Sequence, residues 1–358
     1  MTDPDASPIR EERARTTRGN GASIRQVADL SGVSIATVSR VLNSPGLVSP
    51  TTAAKVQAAV RELGYRPNLF AKGLLTSRSR VLGVSLPDIH GEYYAELMHN
   101  ADARARERGY HLLVSSGAHH AEETPGTSFA LDFIDGIVVM LTERSRVDLD
   151  AVRDLNLPAV VIGVDRPGFT VDTITCDNAS GAALAAEHLL GGTPPERCYF
   201  LGAHRGNLDS DERADAFART LRDHGHEPRE DQIVHREFDF ESGWNWAGEM
   251  IDRGLLRGAG VFAANDEIAV GVANAARDNN IAMPADLRLV GFDDSRVCCF
   301  LRPELSSVRI PIADMAREAV DTLIRRIEEP EASPRHARLS TTLIVRDSSR
   351  VGPGGRLR

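Results

Sequence analysis

Residues 23–43 read S-I-R-Q-V-A-D-L-S-G-V-S-I-A-T-V-S-R-V-L-N. The spacing predicts two short helices joined by a tight turn. Ser23 suits an N-cap, and Ile24, Val27 and Ala28 follow at the i, i+3, i+4 interval of a buried stripe. Gly32 stops that helix. Ser34 suits the cap of a second helix, where Val38, Val41 and Leu42 form the next stripe. Ile35, Ala36, Thr37, Ser39, Arg40 and Asn43 are left facing outward, with Ser34 at their head. They are small, polar or basic, and the acidic residues of an ordinary solvated helix are missing. Such a face suits base edges and phosphates in a DNA major groove. A third helix is predicted with Ser49 as cap and Pro50 in its first turn. Val56, Ala59, Val60 and Leu63 face inward on it, and Gly64 ends it.

Charge divides the chain in the same place. Residues 1–80 hold 12 Lys+Arg and 6 Asp+Glu, a net of +6, whereas the rest holds 30 basic and 45 acidic residues, a net of −15. A basic head attracts phosphate, and an acidic body stays off DNA. The length of 358 residues exceeds one domain and fits a small head plus a divided body. No apolar run is long enough to span a membrane, and the N-terminus has no apolar signal core. Cys176, Cys198, Cys298 and Cys299 form no C-x-x-C pair and read as reduced thiols of a cytoplasmic protein. His119, His120, Glu122 and Glu123 share a loop but match no familiar zinc spacing, so no metal is expected there.

Four further runs extend the pattern beyond the head. V-S-I-A-T-V-S-R-V-L-N is followed by V-S-P-T-T and L-G-Y-R-P-N. L-G-V-S-L-P-D-I (82–89), D-G-I-V-V (135–139), A-A-N-D (263–266) and G-F-D-D (291–294) then follow in order. Over roughly residues 22 to 350 the chain resembles the LacI/GalR family of bacterial transcriptional regulators. The resemblance implies an α/β fold: an N-terminal three-helix helix-turn-helix head and a periplasmic-binding-protein-like body of two Rossmann-like lobes. The expected organisation is a disordered arm (1–22), the head (23–66), a hinge helix or linker (67–79), an effector-binding and dimerisation body (80–345) and a flexible tail (348–358). Lobe 1 is expected at about 80–192 and 309–331, and lobe 2 at about 193–308 and 332–347. By resemblance Asn68 and Leu74 of the hinge also touch DNA, with Leu74 wedged into the minor groove. Gly73 departs from the family's usual small polar residue and weakens that short helix.

Apolar runs predict strands at Val81–Leu86, His111–Ser115, Ile137–Leu141, Ala159–Gly163, Thr173–Cys176, Tyr199–Leu201, Gly260–Ala263 and Leu289–Phe292. Helices are predicted at Tyr93–Arg108, Ser180–Leu190, Asp211–His224, Ser242–Arg253, Glu267–Asn280 and Ile312–Glu328. This alternation means parallel sheets covered on both faces, and the count suggests two sheets. The chain is expected to cross between lobes near Gly191–Pro195, Ser307–Pro311 and Glu329–Arg335.

Ligands in such sheets bind beyond the carboxyl ends of the strands. Asp88, Tyr93, Tyr94, Asp177, Arg213, Asp266 and Asp293 stand there. Carboxylates, a guanidinium and aromatic faces suit a polyhydroxylated ligand. By resemblance Tyr93 or Tyr94, Arg213, Phe238, Asp266 and Asp293 match effector contacts, and Asp177 lies near the cleft. Asp266, Asp177 and Asn178 equally suit helix caps, and Tyr94 equally suits the core.

The resulting expectation is a cytoplasmic homodimeric regulator, most often a repressor in this family, on a pseudo-palindromic double-stranded operator. Its effector is a small molecule, most readily a sugar, with a nucleobase or a protein corepressor as alternatives. No cofactor and no membrane partner are expected. An enzyme is disfavoured because no G-x-S-x-G, Walker, H-E-x-x-H or G-x-G-x-x-G motif is present. A solute receptor would have no use for the head.

Overall fold

The computed structural model describes residues 22–43, 45–65, 78–116, 133–142, 152, 156–165 and 169–350. The chain forms two compact units, residues 1–77 and 78–358. The arm expected at 1–22 except its last residue, the expected hinge with Asn68, Gly73 and Leu74, and the loop with His119, His120, Glu122 and Glu123 lie outside the described residues.

In the first unit, helices α1 (Ile24–Ser31), α2 (Ile35–Asn43) and α3 (Pro50–Leu63) surround one core. Val27, Ala28, Val38, Val41, Val56 and Ala59 fill it, packed by Ile24, Leu42 and Val60. Each fully buried valine stabilises this small core by about 1.5–3 kcal/mol. Ser23 and Gln26 form a reciprocal capping box on α1. Gly32 ends α1 at φ 66°, the left-handed conformation that a tight inter-helix turn requires.

The second unit holds two six-stranded sheets. Its elements are β1 (Val81–Leu86), α4 (Glu92–Glu107), β2 (His111–Ser116), β3 (Gly136–Met140), β4 (Ala159–Ile162), β5 (Asp172–Cys176) and α5 (Asn178–Leu190). They continue with β6 (Cys198–Ala203), α6 (Leu208–Asp223), β7 (Ile233–Arg236), α7 (Phe240–Asp252), β8 (Ala259–Ala263), α8 (Asp266–Asp278) and β9 (Leu287–Asp293). Last come β10 (Ser306–Arg309), α9 (Ile312–Glu328), β11 (His336–Leu339) and β12 (Thr342–Ile344). Sheet one runs β11-β5-β4-β3-β1-β2 and sheet two β12-β10-β9-β8-β6-β7. All recorded pairings are parallel except β10 with β12. This is the doubly wound, two-lobed α/β architecture expected from the sequence.

Two lobe boundaries differ from expectation. Helix α5 follows β5 of sheet one but packs on sheet two and α6. A Cβ on its Gly181 would lie 2.6 Å from Thr341 Oγ1 and 2.8 Å from Val308 Cγ1, so only glycine lets the helix sit this close. The first crossing therefore falls at Cys176–Asn178, not at Gly191–Pro195. The third crossing is also displaced. β11 pairs in parallel with β5, so residues 336–339 belong to lobe 1 and the chain crosses after Leu339, not at Glu329–Arg335. Asp172 fixes this edge. Its fully buried carboxylate accepts from Arg326 Nε (2.7 Å), Arg325 Nη2 (3.0 Å) and the Arg335 backbone N–H (2.7 Å). The second crossing follows β10, which ends at Arg309.

The tail also starts later than expected. Ser348 and Ser349 are fully buried. Ser348 Oγ donates to the Leu289 carbonyl, and the buried Arg288 guanidinium donates to the carbonyls of Ser349, His188 and Leu189.

Candidate functional site

The head presents one polar surface. Ser34 caps α2 by accepting from the Thr37 N–H (3.2 Å), and the two hydroxyls lie 3.0 Å apart. Ser34, Ile35, Ala36 and Arg40 are exposed, with Thr37 and Ser39 half-buried beside them. Val38 and Val41 on the opposite face are buried. The first turn of α2 is thus rigidly anchored and faces outward, and among its described residues it carries no acidic side chain. The positive end of the helix dipole adds to its fit for phosphate. Asn43 is helical; Asn68 and Leu74 lie outside the described residues.

In the second unit, a cleft of about 710 Å³ opens between the lobes, a size that suits a small polyol. Asp88, Tyr93, Tyr94, Arg213, Phe238, Asp266 and Asp293 all line it. Asp88 comes from the loop after β1, and Tyr93 and Tyr94 from the first turn of α4. The two tyrosine rings meet edge to face, with centroids 5.4 Å apart. Burial raises both phenols, and nearby carboxylates add to the shift, so they stay neutral donors.

Arg213 on α6 is 4% exposed. Its Nε donates to Asn178 Oδ1 (2.8 Å), its Nη1 to the Ala264 carbonyl (2.6 Å), and its plane lies 3.7 Å over the Phe292 ring. Nη2 has no hydrogen-bond partner among the described residues. Asp293 closes β9 at φ 115°, a strained conformation for a residue with a side chain. Its neighbour Asp294 is pinned by Arg309 and Arg346, each at 2.7 Å. This pinning holds the strained turn. The Asp293 carboxylate has no hydrogen bond to the described residues, and burial, reinforced by Asp266, raises its pKa.

Asp266 faces the same cleft but has other duties. One oxygen accepts from Ser295 N–H and Oγ (both 2.8 Å) and Cys298 Sγ (3.1 Å), the other from Ser307 Oγ (2.6 Å). Burial pushes its pKa up to about 6 despite these bonds. A Cβ at Gly291 would lie 2.3 Å from its Oδ1, so the G-F-D-D glycine makes room for it. Asp177 is not among the lining residues. It caps α5, accepting from the Ser180 N–H (3.1 Å). Asn178 braces Arg213 from behind. The cleft adds residues that strand-end reasoning passed over: Glu92, Thr142, Asn207, Asp209, Asp239, Glu241 and Glu267. Most sit in the first turns of helices, one residue or more past the strand ends. Asp88 is held below the ordinary carboxylate range: burial raises it, but bonds from His90 and Ile89 outweigh that.

Residues 23–68 match the model of bacterial regulatory proteins of the lacI family, and residues 195–349 match a periplasmic-binding-protein-like domain. The chain is 34% identical to the HTH-type transcriptional regulator GalS of Salmonella typhimurium, covering 85% of this chain and 89% of that protein. It is 30% identical to the HTH-type transcriptional regulator RegA of Clostridium saccharobutylicum, over 91% and 99% of the two chains. Among solved structures, a lac repressor dimer bound to operator and the anti-inducer ONPF superposes with TM-score 0.79 at 23% identity, covering 92% of this chain and 99% of that one. A transcriptional regulator CelR–cellobiose complex superposes with TM-score 0.66 at 26% identity, over 91% and 99%.

Proposed function

The chain belongs to the lacI family of bacterial regulatory proteins and is a DNA-binding transcriptional regulator, not an enzyme; from that premise we propose that it is a cytoplasmic repressor binding a pseudo-palindromic operator as a homodimer. The observation that carries this is the anchored outward face of α2. Ser34, Ile35, Ala36, Thr37, Ser39, Arg40 and Asn43 read the half-site. Two heads related by a two-fold read an inverted repeat, because one reads too few bases. Asn68 and Leu74 enter this reading through the family resemblance alone. Edge strand β2 leaves Leu113 and Val114 at 42% and 40% exposure, which supports burial against a second copy.

A small molecule in the interlobe cleft controls the affinity. Asp293 accepts from its hydroxyls, Arg213 Nη2 donates to it, and Tyr93, Tyr94 and Phe238 provide its aromatic walls. That relatives include ribose operon repressors and a cellobiose-bound regulator supports a sugar. No helix among the described residues is long and apolar enough to cross a membrane. The ligand acts by fitting one lobe arrangement better than the other and so shifting the dimer between operator-competent and incompetent forms.

Arg40→Ala tests the head. It is expected to weaken operator binding by about 1–3 kcal/mol while barely changing affinity for random duplex. The measurement is fluorescence anisotropy on both DNAs at one salt concentration. Equal losses on the two would reassign Arg40 to phosphate.

A further inference from the structure

The interlobe cleft carries a charge imbalance that a neutral sugar leaves uncompensated. Eight carboxyl groups line it: Asp88, Glu92, Asp209, Asp239, Glu241, Asp266, Glu267 and Asp293. Among the described residues the basic side chains beside them are Arg213 and His90. Asp266 is saturated by its four donors, and Asp239 caps α7 through the Ser242 N–H (2.7 Å). Glu92 accepts from the Val297 N–H (3.1 Å) at the cleft mouth. Others keep open oxygens. Among the described residues Glu241, Glu267 and Asp293 have no side-chain hydrogen bond. Asp88, Asp209, Asp239 and Glu92 each use one oxygen, toward His90, Asn178, Ser242 and Val297 respectively, and keep the other open.

Four of these carboxylates, Asp88, Asp209, Asp293 and Glu267, line the cleft together with Tyr93 and Tyr94. Asp88, Asp209, Asp293 and Glu267 all act on the Tyr94 phenol, whose ring lies against that of Tyr93. They come from both lobes: Asp88 from the loop after β1, Asp209 from α6, Glu267 from α8 and Asp293 from the end of β9. An aromatic pair ringed by carboxylates is the environment that attracts an organic cation, by charge and by ring quadrupole together. A metal ion is the competing occupant. It needs three or more ligands converging on one point, and the described residues contain no such group of carboxylate, histidine and thiol ligands. Arg213 Nη2 still demands an acceptor on the ligand, which a polyol backbone supplies.

Resting on the reading of this cleft as the effector site, we propose that the effector is an amino-substituted sugar, its protonated amine seated beside Tyr94 among Asp88, Asp209, Asp293 and Glu267. Its hydroxyls face Arg213. A phosphorylated or carboxylated sugar is rejected by the same ring of charge.

The test uses the full chain and two matched series, in calorimetry and thermal shift. Each comprises the amine, the N-acetyl derivative, the parent sugar and its 6-phosphate, in the glucose and galactose forms, with ribose and cellobiose as further neutral sugars. The amine is expected to bind at least about tenfold more tightly than its N-acetyl partner, with the preference shrinking as salt rises. Glu267→Gln is expected to reduce that preference severalfold, with the unfolding midpoint as the check that the variant folds. Equal or tighter binding of an N-acetyl, parent or neutral sugar overturns the amine proposal and leaves the cleft as effector site. So does tightest binding of a 6-phosphate. An amine preference that survives Glu267→Gln unchanged overturns the seat beside Tyr94. Binding by no member of either series, ribose and cellobiose included, overturns both the amine and the sugar-effector reading.

Discussion

Asp293→Asn is expected to weaken effector binding by about 1–3 kcal/mol, roughly ten- to a hundredfold, with operator affinity and unfolding midpoint close to those of the unmodified chain. The reason is local. The Asp293 carboxylate has no hydrogen bond within the described structure, so removing its charge strands no protein donor. Asparagine tolerates φ 115° better than alanine does, so the strained turn survives. Arg213→Ala must behave differently. It removes the effector's donor, but also the bonds to Asn178 Oδ1 and the Ala264 carbonyl and the contact over Phe292. Its loss of response should come with a lowered unfolding midpoint. Calorimetric titration and thermal unfolding of the two variants separate these cases. If Asp293→Asn responds to effector at the unmodified midpoint concentration, Asp293 is not a ligand contact.

Asp172→Ala is expected to destabilise the second unit by about 3 kcal/mol. The side chain is fully buried, while Arg325 and Arg326 are 35% and 15% exposed. Removing the carboxylate strands one guanidinium that water reaches poorly and leaves the Arg335 N–H without an acceptor. It also frees the edge where β11 joins β5, next to the third crossing between lobes. Urea unfolding should show a lowered midpoint. A loss below about 0.5 kcal/mol, the range of an ordinary surface change, would mean that Asp172 does not fix this edge.

The head was the most legible part of the sequence, for a physical reason. Three short helices share one core, so every buried stripe must be periodic and every end must carry its own cap. Ser23, Ser49, Gly32 and Gly64 mark those ends unaided. The α/β body was legible as alternating strands and helices, because fully buried parallel strands are continuous apolar runs. Lobe assignment was not. The periodicity of residues 178–190 says that the helix buries a face, but not which sheet receives it; the close fit of Gly181 against Val308 and Thr341 decides that. Strands β7, β10, β11 and β12 escaped because they are only three or four residues long, and three of them stand at a sheet edge with β10 next to one. An edge strand such as H-A-R-L needs few apolar residues.

In the cleft, the rule that ligands sit beyond strand ends located Asp88, Tyr93, Tyr94, Arg213 and Asp293. It overreached at Asp177, where a carboxylate at a strand end serves the next helix instead. It undercounted the acids, since Asp209, Asp239, Glu241 and Glu267 reach the cleft from helix starts. Asp266 shows the same ambiguity in one residue: it faces the cleft, yet both oxygens hold the loop at Ser295 and the strand at Ser307.

Paired heads are expected to recognise a two-fold operator sequence-specifically, and selection from random duplexes by the full chain, followed by sequencing, measures this. The enriched sites should form inverted half-sites, about the central C-G step that the family resemblance implies, and Arg40→Ala should lose that enrichment. Enrichment of asymmetric or single half-sites, or none above the random pool, would contradict it.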